Sequence, residues 1–147
     1  MRTVKELLQR KGYEIHAISP NATVFDALTL MAAKNVGALL VLDGQTLVGV
    51  ISERDYARKV ILHGKSSKET PVREIMTSRV VHVSPDTPVE ACMALMTDKH
   101  VRHLPVMDDG ALIGVISIGD VVNAIISNQQ FAIDQLKAFH EYDPRDR

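Results

Sequence analysis

Apolar residues along this chain recur in two rhythms that take turns. From Thr23 to Lys34 the residues Val24, Ala27, Leu28 and Met31 return every three or four positions, the spacing with which a helix buries one face. Directly afterwards, Ala38 to Leu42 and Leu47 to Ser52 are short runs of residues that suit buried sheet, separated by Asp43-Gly44-Gln45, and they predict two strands joined by a tight turn. Upstream, Thr3 and Glu6 have the spacing of a capping box and Gly12 supplies a stop, which predicts a short opening helix. Glu14 to Ile18 is then a candidate strand, and a further helix is predicted from near Glu53 to His63-Gly64. The polar stretch that follows reads as a link, with Pro71 suited to the first turn of the next helix.

The order then recurs. "LVGVISERDYARKVI" (Leu47 to Ile61) returns as "LIGVISIGDVVNAII" (Leu112 to Ile126), 65 residues later. The same gapless offset pairs Ser19-Pro20 with Ser84-Pro85, Leu30-Met31 with Leu95-Met96, Val41 with Val106 and Asp43 with Asp108. The opening helix repeats too, Val4 to Leu8 resembling Val72 to Met76, but at an offset of 68, so the first copy carries three extra residues before its first strand. Each copy is expected to be one unit: residues 1–64, a link at 65–70, and residues 71–127. A sheet of that size buries too little alone, so the two copies should pack about a pseudo-two-fold axis and create equivalent clefts. The fold class is α/β (α+β). Residues 128–147 form a C-terminal extension in which Phe131, Leu136 and Phe139 make an incomplete apolar stripe, expected to extend the last helix and either support a dimer or pack on its own chain.

Composition narrows the function. With 147 residues and 46% hydrophobic content the chain can bury a core, and 17 Lys plus Arg against 18 Asp plus Glu leave no broad cationic surface for a nucleic-acid backbone. No apolar run approaches the roughly 18 residues of a membrane span. The N-terminus lacks the apolar core of a signal peptide, and the single cysteine, Cys92, cannot form an internal disulfide, so a soluble cytoplasmic protein is expected.

The repeated Ser52-x-x-Asp55 and Ser117-x-x-Asp120 admit two readings. The simpler is a capping box at a strand-to-helix junction, and its recurrence within a repeat adds no independent weight. The other is a binding site: a carboxylate in the first turn of a helix can accept both hydroxyls of a ribose, while helix-end amides and an arginine take a phosphate. The cationic groups differ between copies. Arg54 sits inside the first motif, whereas the second has Gly119 there and instead carries Arg102-His103, where the first copy has Gly37-Ala38.

The second copy, from "VREIM" through "VVHVSPDTPVEACMALMTDKHVRHLPVMDDGALIGVISIGDVV", resembles a CBS domain, and the first matches it in its last half. The tandem arrangement is similar to a Bateman module: two βαββα repeats with ligand-sensing clefts between them. The resemblance implies that Asp55 and Asp120 hold ribose hydroxyls, with Ser52 and Ser117 near the sugar and phosphate and the backbone at Val50 and Val115 lining an adenine. It also implies phosphate contacts from Arg102 and His103, with Arg54 the candidate in the first site, and Ala22 and Thr87 flanking the ligand from the opposite copy. The first copy departs from the pattern at Gly37-Ala38-Leu39-Leu40, where basic residues and proline are frequent.

No metal-ligand spacing is formed by the six histidines and Cys92, and no nucleophile-base ordering or glycine-rich phosphate loop is present. The expectation is therefore a non-catalytic, stand-alone regulatory module that binds AMP, ATP or NAD(H), associates as a homodimer through its helices and signals to an unidentified regulated protein. Two rivals stand beside it: a dimeric interaction adaptor with ligand-free clefts, and an enzyme acting on nucleotides, which rests only on the existence of a cleft.

Overall fold

A computed structural model describes residues 1–128 and 143–145. The expected C-terminal helical extension therefore lies outside the described residues. None of the described helices is long and apolar enough to cross a membrane.

The chain runs α1 (Val4–Lys11), β1 (Ala17–Ile18), α2 (Val24–Lys34), β2 (Ala38–Asp43), β3 (Thr46–Ser52) and α3 (Glu53–Tyr56), which continues as a π-helical turn (Ala57–Ile61). It repeats as α4 (Val72–Ile75), α5 (Val89–Lys99), β4 (His103–Asp108), β5 (Ala111–Ser117) and α6 (Ile118–Ser127). The expected α/β architecture of two related halves is what forms. β2 pairs antiparallel with β3, Ala38 opposite Ser52, and β4 with β5, His103 opposite Ser117, each hairpin shifting register once, after Val41 and after Val106. The predicted strand at Glu14 to Ile18 shortens to β1, parallel to β2, and the second copy reduces it to one bridge between Val83 and Val106. The predicted helix from Glu53 to Gly64 is broken in character, because its second half widens from α to π.

The two opening helices are exchanged. Val4 N–H donates to Thr87 O at 2.9 Å, Lys5 N–H to Pro85 O at 2.9 Å, and Val89 N–H to Arg2 O at 2.9 Å, which pins the start of α1 to the entrance of α5. In the mirror arrangement Val72 N–H donates to Ala22 O at 2.8 Å and Val24 N–H to Thr70 O at 2.8 Å, pinning α4 to α2. The cores follow. Val4, Leu7 and Leu8 are buried with Val89, Cys92, Met96, Leu104 and Ile116 of the second copy, while Val72 and Ile75 are buried with Val24, Met31, Leu39 and Ile51 of the first. The sequence copies are thus not the packing units, since each core borrows a helix from the other copy.

This exchange accounts for the glycine in each Gly-Val-Ile-Ser. A Cβ on Gly49 would lie 2.7 Å from Met76 Sδ and 3.0 Å from the Thr77 carbonyl oxygen, and one on Gly114 would lie 3.0 Å from Leu8 Cδ2. A side chain at Gly49 would press on the borrowed segment's backbone as well as on Met76, and one at Gly114 would make the Leu8 side chain give way.

Candidate functional site

Both Ser-x-x-Asp motifs form full capping boxes. Ser52 N–H donates to Asp55 Oδ2 at 2.9 Å and Asp55 N–H to Ser52 Oγ at 3.2 Å; Ser117 N–H donates to Asp120 Oδ2 at 2.8 Å and Asp120 N–H to Ser117 Oγ at 3.2 Å. The simpler reading of the motif is therefore realised at both helix starts. It leaves one oxygen of each carboxylate outside the cap. Asp55 Oδ1 receives Lys59 Nζ at 3.0 Å, and that ammonium also donates to Ile75 O at 2.9 Å. Lys11 Nζ instead shares Asp120 Oδ2, at 2.6 Å, and donates to Val115 O at 2.8 Å.

Two cavities flank the junction of the copies. The first, about 700 Å³, collects Ser52, Arg54 and Asp55 from the first motif with Arg102 and His103 from the second copy. The second, about 380 Å³, collects Val115 and Ser117 with Lys11, Gly37 and Ala38. Arg102 thus joins the first motif across the copy boundary, His103 lies in the wall of both cavities, and Gly37-Ala38 share the second cavity with Ser117. Five cationic side chains, Arg54, Arg58, Lys59, Arg79 and Arg102, line the first cavity against the acids Glu53 and Asp55. A cleft of that sign concentrates anions, and guanidinium forks suit phosphate oxygens.

Four sequence expectations change here. Asp120 is not in the wall of either cavity; its Oδ2 is held by the Ser117 N–H and by Lys11. Ala22 and Thr87 are not in the wall of either cavity; their backbone carbonyls accept from Val72 and Val4 N–H, so they fasten the exchanged helices. The backbone of Val50 is already used, its N–H donating to Thr77 O at 3.0 Å and its carbonyl accepting from Thr77 N–H at 2.9 Å, although the residue lines both cavities. The Val115 carbonyl is taken by Lys11. Conversely, Thr77 and Arg79 line the first cavity and Lys11 the second, and none was picked out from sequence. The 68-residue offset of the opening helices aligns Lys11 with Arg79 and was the signal that could have found both.

His103 borders both cavities. Burial holds its imidazole below the ordinary value of 6.5, the Lys11 and Arg102 charges push the same way, and Asp120 opposes them. The unfolded chain therefore takes up this proton first as pH falls, and stability drops as pH goes below about 6.5 toward and through the folded value. We expect His103→Gln to lose less stability than the wild type between pH 7.5 and 5.5; equal losses in denaturant titrations would show that His103 does not carry this dependence.

The family model described as CBS domain matches residues 4–61 and 72–127. CBS domain-containing protein CBSX3, mitochondrial, from Arabidopsis thaliana is 40% identical over 146 residues, covering 93% of this chain and 71% of that protein. A solved CBS-domain protein from Burkholderia ambifaria MC40-6 superposes with a TM-score of 0.84 at 52% identity, covering 88% of this chain and 97% of that one. The fold also matches a CBS domain pair solved in complex with 5′-methylthioadenosine and S-adenosyl-L-methionine, at TM-score 0.76 and 24% identity, over 86% of this chain and 98% of that one.

Proposed function

Because this chain belongs to the CBS-domain family, with two copies of the module in tandem, we propose that it is a regulatory module binding an adenine nucleotide, AMP, ATP or NAD(H), between its copies and signalling occupancy to a partner protein. The observation that carries the reading is the composition of the first cleft. Asp55 at a helix start supplies the acceptor for a ribose diol, while Arg54 from one copy and Arg79 and Arg102 from the other supply phosphate donors. Its volume of about 700 Å³ is in the range of small-ligand sites. The related domain pair solved with two adenosyl compounds supports adenosine chemistry for such a groove.

Ser52 and Asp55 engage each other rather than forming a nucleophile with a separate base, which favours sensing over catalysis. Burial pushes the Cys92 thiol up to about 11, with its backbone hydrogen bond only partly opposing, so it packs as a small apolar group. We keep the cytoplasm as the setting of this module.

Ligand-free protein should melt higher in AMP, ATP or NADH. At a concentration about 100 times Kd the fold gains about 2.7 kcal/mol, a rise of about 5–10 °C for a chain of this size. A melting curve that none of the three moves overturns the reading. In that case the adaptor reading takes over, favoured by Ile118, Val122 and Ile126, which are 37%, 38% and 36% exposed at four-residue spacing on α6 and would serve a homodimer.

A further inference from the structure

The two clefts are unequal for a reason that starts in the three extra residues of the first copy. α4 ends at Ile75, and the chain beyond it runs extended, so Thr77 pairs with both backbone groups of Val50 at the edge of β3. α1 is longer, eight residues against four, and is still helical at Lys11. The edge of β5 is consequently met by a side chain. Lys11 Nζ donates to Val115 O at 2.8 Å and to Asp120 Oδ2 at 2.6 Å.

We propose that Lys11 is a built-in occupant of the second cleft: its ammonium takes the Val115 carbonyl that would otherwise face a base and shares the capping oxygen of Asp120, which sets a fixed cation where a nucleoside would sit, so the chain holds one nucleotide, in the first cleft. This rests on the reading of the clefts beside the two Ser-x-x-Asp motifs as nucleoside sites. The aligned residue of the other copy, Arg79, lines the first cleft, and among the described residues it forms no ion pair with Asp55. Lys59 does bind Asp55, but from the same helix, i to i+4, and its second bond goes to Ile75 O and not to the strand edge. It is also the looser of the two, 44% exposed against 34% for Lys11. His103 borders both clefts, but among the described residues no arginine lines the second, whereas Arg54, Arg58, Arg79 and Arg102 line the first, so phosphate contacts in the second are too few to help a ligand displace the lysine. Burial raises the Asp120 carboxyl, yet the Lys11 hydrogen bond and the Ser117 N–H outweigh it and hold it below the usual carboxylate value, keeping the pair ionised.

Calorimetric titration of the full chain with AMP, and with adenosine as a phosphate-free probe, tests this. Wild type should bind one molecule per chain and Lys11→Met two, and adding Asp120→Asn to Lys11→Met should return the count to one. Lys11→Gln is a second variant with the same expectation, and melting curves establish that each variant is folded. Two molecules bound by wild type, or one still bound by folded Lys11→Met and Lys11→Gln, overturns the proposal. If wild type binds neither probe, the first-cleft reading fails; a single Asp120-dependent site in Lys11→Met would then still uphold the role of Lys11, and none would overturn it.

Discussion

Asp55→Asn should weaken AMP binding in the first cleft about 100-fold while leaving the melting temperature close to that of wild type. An asparagine oxygen can still accept the Ser52 N–H that now reaches Asp55 Oδ2 at 2.9 Å, so the cap survives. What disappears is the negative charge on which the proposed ribose contact depends. Hydrogen bonds to a charged group contribute about 1.5–3 kcal/mol, and a loss of about 2.7 kcal/mol corresponds to two decades of affinity. Asp55→Ala should lose the same affinity and, in addition, about 1 kcal/mol of stability with the cap. Calorimetric titration and thermal melts of the two variants separate roles that the wild-type structure superimposes. Unchanged AMP affinity in Asp55→Asn would reduce the residue to a helix cap.

Leu8→Ala should cost about 3 kcal/mol. The side chain is fully buried among residues of the other copy and touches the strand at Gly114, and burial of that kind places Leu→Ala changes at about 2–5 kcal/mol. For a chain of this length the melting temperature falls by about 6–12 °C. The location of the damage matters as much as its size. Amide exchange should accelerate in β4, β5 and α6, because Leu8 belongs to their core, and stay slower in β2 and β3. Acceleration confined to β2 and β3 would show that α1 packs on its own copy.

Much of this architecture was legible in the residues. Alternating rhythms placed α2, the two hairpins and the capped helix starts to within a residue or two, since each depends on neighbours in the chain. The exchange of α1 and α4 was not legible: Val4, Leu7 and Leu8 announce an apolar face, but two homologous cores accept it equally well, and only geometry decides which. The same blindness affected the site. Arg102 had been placed with the second copy's motif, yet it lines the cavity of Asp55, because that cleft lies across the copy boundary, while His103 borders both. Lys11 is one of two cations in the last turn of α1, with nothing in its neighbours to single it out, and its reach to Val115 follows from a helix-length difference whose consequence appears only when the two lead-ins are superposed. The second half of the helix after Ser52 read as regular; its π turn, which carries Lys59, leaves no mark in the apolar spacing.

The borrowed helices also constrain how such a chain could have arisen. A lone repeat folded as each half is here would leave its glycine-floored strand without the helix that now covers it, unless a second molecule lent one in trade. Joining two genes through the segment around Ser66 to Thr70 would have turned that bimolecular trade into an intramolecular one. Thereafter each half was free to diverge, which an obligatory pair of identical chains is not.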